Sequence, residues 1–308
     1  MINRVLIRIR VVQILYSYYQ NQDGNLRKAE TELNFSFQKS YDLYFYLLSL
    51  LIELTEAYYR RVESNKAKLL PSEEDKNPNT RLLDNLFIKQ LEENIYLIDY
   101  IKKRPFLWSE HDTFIKSLLN EILSSDVYHE YISSKKNSDY SDDREFWRKV
   151  FKQFVCGNEE LEDLLEDESL YWNDDIEIVE SFVLKTIKKF DENEGSRQTL
   201  LPMFREDEDN EFAVKLLRES LLNFKEYREL ITHHAQNWES ERIAFMDLII
   251  MQVSVAEILN FPSIPVNVTL NEFIDIAKSY STEKSASFIN GILDSIVNEL
   301  RSQKKLLK

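Results

Sequence analysis

Glycine and proline are scarce in this 308-residue chain, at 4 and 6 residues. Sandwiches, barrels and other turn-rich folds use far more of both, and so do collagen-like and low-complexity chains. Long helices need few of either, so an all-α fold is expected. A single cysteine, Cys156, excludes an intrachain disulfide and a thiolate metal cage. It fits a reducing cytoplasm. Four glycines leave no room to write a dinucleotide fingerprint or a phosphate loop, and neither CxxC nor HExxH occurs. No cofactor and no metal are therefore expected. Long apolar runs are missing too. The stretch from Leu43 to Leu54 is too short to span a bilayer and contains Ser49 and Glu53. The first twenty residues carry Arg8 and Arg10 where a signal peptide needs an unbroken apolar core. Being amphipathic and free of acids, they also fit a mitochondrial presequence.

Apolar residues make up 43% of the chain and charged residues 30%, enough for a buried core. The net charge is −15, from 54 acids and 39 bases. That excludes a uniformly basic nucleic-acid binder but not a local basic surface on an acidic body. From Asp139 to Glu180 there are 15 acids against four bases, which reads either as a solvated face or as a surface for a basic partner.

Apolar residues recur at helical spacing along most of the chain. In the first helix Val5, Ile9, Val12, Tyr16 and Tyr19 form one row, leaving a polar arc of Asn3, Arg10, Gln13, Ser17 and Gln20. A second helix is expected over Lys28 to Phe37 and a third over Tyr41 to Val62, followed by a linker at 63–80. Helical spacing resumes from Leu83 to Ile101 and stops at Pro105. It returns around Leu118, from Phe146 to Phe154, and from Ile176 to Phe190. After a second linker at 191–211, helices fit Glu211 to Leu222 and Tyr227 to Asn237. A very apolar helix from Arg242 to Leu259 reads as the centre of a bundle. Asn267 can cap the next helix, and Ser281 or Thr282 the last. Gly291 inside that helix suggests close backbone approach. These breaks divide the chain into 1–62, 63–204 and 205–308.

Catalytic candidates are few. His233 and His234 point in two directions on a helix and read as surface residues. Cys156 has no marked histidine partner in sequence. Asp247, among apolar residues, needs a partner, for which Arg242 or the N-terminal arginines are candidates. No enzyme is expected. The N-terminal 22 residues stand apart, with Arg4, Arg8 and Arg10 and no acid. Arginines at a helix start oppose the helix dipole, and bound phosphate would reverse that penalty. Arginine forks onto phosphate and stacks on bases. Solvated or internally paired arginines remain the other reading.

Two stretches carry a family resemblance. Arg8-Ile-Arg-Val-Val-Gln13-Ile-Leu15-Tyr16 resembles the opening helix of the NusB family. Pro265-Val-Asn-Val-Thr-Leu-Asn271-Glu272, then Ala277-Lys278-Ser-Tyr, then Phe288-Ile-Asn290-Gly291-Ile-Leu293-Asp294, resembles that family's end in order and spacing. The resemblance covers about residues 1 to 40 and 205 to 300. It implies a NusB-like helical bundle, here with an additional acidic helical insertion. It further implies a transcription antitermination factor that pairs with NusE, a small-subunit ribosomal protein. Such a pair binds boxA RNA of ribosomal transcripts within the elongation complex. By position, Arg4, Arg8, Gln13, Tyr16, Lys284 and Phe288 match the family's RNA-proximal places. With Arg10 from the polar arc they form the expected RNA-binding set.

Departures are visible. Ile7 and Val11 replace alanines, and Ile9 stands where glutamate is frequent. Gln252 replaces a common arginine, and Lys284 a frequent acid. Residues of about 60 to 200 have no counterpart in short members. Being acidic, that insertion should repel RNA. It can equally shield a face, dock a partner or brace the fold. A helical scaffold that binds only protein remains the alternative. An RNA-targeting domain of a methyltransferase ranks last, since no glycine-rich cofactor motif exists.

Overall fold

A computed structural model describes residues 1–21, 24–103, 108–133, 139–235 and 243–306. Every named element among them is helical, so the all-α expectation holds. None of these helices is long and apolar enough to cross a membrane. The chain forms two compact units, one of residues 2–37 with 204–308, the other of residue 1 with 38–203. The expected boundary at 62/63 thus differs from the observed one at 37/38. The reason is local. Helix α2 (Leu26–Lys66) runs unbroken for 41 residues, because nothing between Phe37 and Tyr41 breaks a helix. Only tertiary packing tells its two parts apart.

The unit of residues 2–37 and 204–308 holds α1 (Arg4–Gln20), the start of α2, α11 (Asp207–Leu222), α12 (Phe224–His234), α13 (Phe245–Asn260), α14 (Val266–Tyr280) and α15 (Glu283–Ser302). Helix α13 is its axis, touching α1, α11, α12, α14 and α15. Its Ile249, Ile250, Met251, Val253, Val255 and Ala256 are all fully buried, as the apolar run predicts. Arg242 lies outside the described residues. Thr282 caps α15, its hydroxyl accepting from the Ser285 amide at 3.1 Å. Asn267 does not cap α14, which begins one residue earlier after Pro265. Proline sets the φ needed at a helix entrance without a side-chain cap. Gly291 is exposed, with nothing within 4 Å of a Cβ built there. The expected close approach is absent.

The other unit holds the rest of α2, then α3 (Glu73–Lys76), α4 (Leu86–Glu92), α5 (Ile95–Lys103), α6 (Asp112–Ser124), α7 (Asp126–Ser133), α8 (Tyr140–Val150), α9 (Glu159–Glu168) and α10 (Ile176–Lys189). The continuous helix expected from Leu83 to Ile101 is two helices. Asn94 sits between them, its side chain accepting from the Leu97 amide at 3.1 Å and donating to the Gln198 carbonyl at 2.8 Å. Pro105 lies outside the described residues. Aromatic residues dominate the core. Tyr46 stacks on Trp108 at 3.9 Å and lies 5.7 Å from Trp172, while Phe45 stacks on Tyr100 at 3.7 Å. Most of the acids from Asp139 to Glu180 are exposed, with Asp143, Asp175 and Glu180 buried.

Glu180 explains one property of this unit. A π-helical turn (Phe151–Val155) follows α8, and just beyond it Gly157 has a left-handed φ of 67°. The Gly157 amide and the Cys156 thiol both hydrogen-bond Glu180. One carboxylate oxygen is buried without a hydrogen bond. Burial, with Glu162 and Glu177 nearby, pushes the carboxyl up to about 7. Burial and Glu180 push the thiol up to about 12, so Cys156 is inert at neutral pH. A folded carboxyl that holds its proton above the unfolded range favours the folded state at low pH. Stability should therefore fall between about pH 4.5 and 7, by on the order of 2 kcal/mol. Glu180→Gln should flatten that slope and raise the melting temperature at pH 8. Parallel melting-temperature profiles of variant and wild type would refute this.

Candidate nucleic-acid interface

Helix α1 begins after Asn3, whose side chain accepts from the Leu6 amide at 2.9 Å. Its hydrophobic rows place Leu6, Ile7, Val11, Val12, Ile14 and Leu15 in the core. The three arginines, expected together in the RNA-binding set, do not share one exposed surface. Arg8 is 2% exposed. Its Nε and Nη2 donate to the two carboxylate oxygens of Glu257 at 2.8 and 2.9 Å, and Nη1 lies 3.5 Å from Glu272. The Thr269 hydroxyl donates to the same Glu257 at 2.7 Å. Arg10 is buried as well, with Nη1 donating to the Gln13 side chain at 2.7 Å. Arginine can enter the core here because α13 and α14 bring carboxylates to it, and a paired, hydrogen-bonded charge is tolerated there.

Arg4 stays at the surface, its side chain 41% exposed. It donates to Asp209 at 3.2 Å and lies 5.0 Å over the Phe212 ring. Tyr16, expected in the apolar row, is 37% exposed and lies 5.5 Å from Phe245. Gln13 donates to the Tyr280 hydroxyl at 3.2 Å. That contact joins α1 to the end of α14. The next residue, Ser281, donates to Asp247 at 2.6 Å. Asp247 thus has a hydroxyl partner, while Arg242, one of its expected partners, lies outside the described residues. Lys284 follows in the first turn of α15 and is exposed, and Phe288 is half-buried one turn on. Gln13 is therefore joined to Tyr280, three residues before α15 starts, while Arg4 opens α1 more than two turns before Gln13.

Sequence reasoning missed Tyr19, Tyr280 and Arg228. Arg228 stacks over the Tyr19 ring at 4.5 Å and donates to Gln252 at 3.2 Å. Gln252 in turn donates to the Tyr19 hydroxyl and the Ser220 carbonyl, at 2.9 and 2.6 Å. A guanidinium from α12 thus reaches the place on α13 where Gln252 replaces a common arginine. The replacement itself was the available signal. Of the histidines, His233 is exposed, but His234 contacts Ser295 at 2.8 Å and Glu299 at 2.5 Å. Among the described residues, no group of three or more His, Cys, Asp or Glu is placed to hold a metal ion.

Comparison with known proteins gives the family of the chain. The profile of the NusB family matches residues 174–298, from just before α10 through most of α15. Helix α1 lies outside the matched stretch. A protein of Salinibacter ruber named transcription antitermination protein NusB is 36% identical over 132 residues, covering 41% of this chain and 82% of the relative. The protein of that name from Listeria monocytogenes is 36% identical over 116 residues, covering 38% of this chain and 91% of its own length. One from Chloroherpeton thalassium is 41% identical over 98 residues, which is 46% of that relative. No solved structure matches the chain. Shared identity over most of the length of two such relatives, on an all-helical bundle centred on α13, establishes that the chain belongs to the NusB family.

Proposed function

We propose that this protein is an RNA-binding transcription antitermination factor that recognises boxA-type RNA together with NusE. The observation that carries the reading is the Gln13–Tyr280 contact. It joins the exposed Tyr16 face of α1 to the turn that presents Lys284. An exposed ring one turn from a side-chain amide that meets a hydroxyl suits unstacked bases, and an exposed ammonium suits their phosphates. The contact set is Arg4, Gln13, Tyr16, Lys284 and Phe288. Arg8 and Arg10 act from inside, fixing α1 against α13 and α14 and holding Gln13 in place. The family's association with transcription machinery supports the same reading. No enzymatic step is assigned to the chain, and the setting is cytoplasmic.

The test is a titration of a boxA-type RNA, with and without NusE. Tyr16→Ala combined with Lys284→Glu should weaken binding at least tenfold, since one lost stacking contact is worth about 1–3 kcal/mol. The melting temperature should stay close to wild type, because both side chains are exposed. Wild-type affinity in that variant overturns the assignment. The scaffold reading is favoured by the intramolecular pairs of Arg4 with Asp209 and Arg8 with Glu257. Wild-type protein that takes up NusE but no RNA would establish it.

A further inference from the structure

The unit formed by residues 38–203 is the acidic part of the chain, yet one groove in it has the opposite character. It lies between the end of α2 and α6 and measures about 510 Å³. Ala57, Arg60, Arg61, Ser64 and Asn65 line it from α2, and Asp112, Lys116 and Asn120 from α6. Three cations thus face one carboxylate. All three are solvent-accessible, with the Lys116 side chain 68% exposed and that of Arg60 53% exposed. Arg61 donates to the neutral Asn120 amide at 2.6 Å, so no carboxylate offsets it there. Arg60 contacts Glu53 at 2.7 Å and Lys116 contacts Asp112 at 2.5 Å. Counting Glu53, the groove still carries a net positive charge. Ser64, Asn65 and Asn120 add neutral hydrogen-bonding groups along it.

We propose that this groove binds the phosphodiester backbone of single-stranded RNA. This rests on the proposed function only in making RNA the polyanion. The spacing of Arg60, Arg61 and Ser64 along α2 offers successive contacts to a strand rather than a closed cage for one ion. Guanidinium groups with a free edge fork onto phosphate. The acidic surroundings do not oppose this at contact range, because salt screens charges beyond about 8 Å.

The test uses the full chain and a fluorescein-labelled oligo(U) 20-mer, which lacks any boxA sequence, with anisotropy read at 50 and 200 mM salt. Arg61→Glu with Lys116→Glu should weaken binding at least tenfold. It should also reduce the log–log salt slope by about 1.4, two phosphate contacts' worth for a single strand. Arg61→Gln with Lys116→Gln should fall between wild type and the reversal, which separates charge from misfolding. Unchanged affinity and slope in the reversal variant overturn the groove, as does wild-type protein that binds no oligo(U). The Tyr16→Ala/Lys284→Glu variant keeps the two readings apart. Loss of boxA binding there, with a silent groove reversal, retains the proposed function and removes the groove.

Discussion

Arg8→Met should destabilise the protein by about 3–5 kcal/mol, the usual cost of leaving one member of a buried ion pair without the other. Glu257 is fully buried, and Arg8 supplies two of its hydrogen bonds. Without the guanidinium it keeps only the Thr269 hydroxyl among the contacts described above. The pair also ties α1 to α13, the central helix of its unit. Replacing both partners, as Arg8→Met with Glu257→Leu, should recover most of the loss, because an apolar pair of similar volume avoids desolvating two charges. Denaturant unfolding of the two single variants and the double variant measures the coupling. A single Arg8→Met variant within about 1 kcal/mol of wild type would show that the pair contributes little beyond its desolvation. The result matters for function as well. Weaker RNA binding by an Arg8 variant would report the loss of α1's seat rather than the loss of a phosphate contact, so exposed residues are the better probes.

The second large effect is expected at Trp172. The indole is 1% exposed, and its N–H donates to the Lys39 carbonyl at 2.8 Å. Its ring adjoins Tyr46, which stacks on Trp108. Trp172→Ala removes the largest kind of side chain from a packed core and should lose about 3–5 kcal/mol. Trp172→Phe keeps most of the volume but gives up the hydrogen bond to the Lys39 carbonyl, and should lose about 0.5–1.5 kcal/mol. Denaturant unfolding followed by near-ultraviolet circular dichroism tests both, because the stacked aromatic rings dominate that signal. Equal losses from the two variants would mean that the hydrogen bond, not the packing, holds the segment. Negligible loss from alanine would mean that the core closes over the gap.

Much of the architecture was legible before any coordinates. The scarcity of glycine and proline pointed to helices. The apolar run expected from Arg242 to Leu259 announced a buried axis, and Ser281 or Thr282 a helix start, which Thr282 caps. Apolar spacing and capping chemistry are local, so a sequence carries them openly. Boundaries inside continuous helical sequence were not legible. Nothing between Phe37 and Tyr41 marks the passage of α2 from one unit to the other, because both parts are helical and differ only in what they pack against. The break at Asn94 was hidden for a related reason. Its side chain caps α5 while reaching the distant Gln198 carbonyl, and such a partner has no local signature.

The candidate interface divides in the same way. Its residue types and its family could be read along the chain, since both depend on local spacing and on motifs. Which arginines face solvent could not. Arg4, Arg8 and Arg10 look alike in sequence, and only the approach of Glu257 and Glu272 draws Arg8 inward. The charge of the middle of the chain averages to acidic, yet folding gathers Arg60, Arg61 and Lys116 around one groove. Coulomb energy depends on distances through space and on burial, which linear order does not encode. Helices, axis and ancestry were therefore settled by short-range chemistry, whereas the side on which each charge acts was settled by packing.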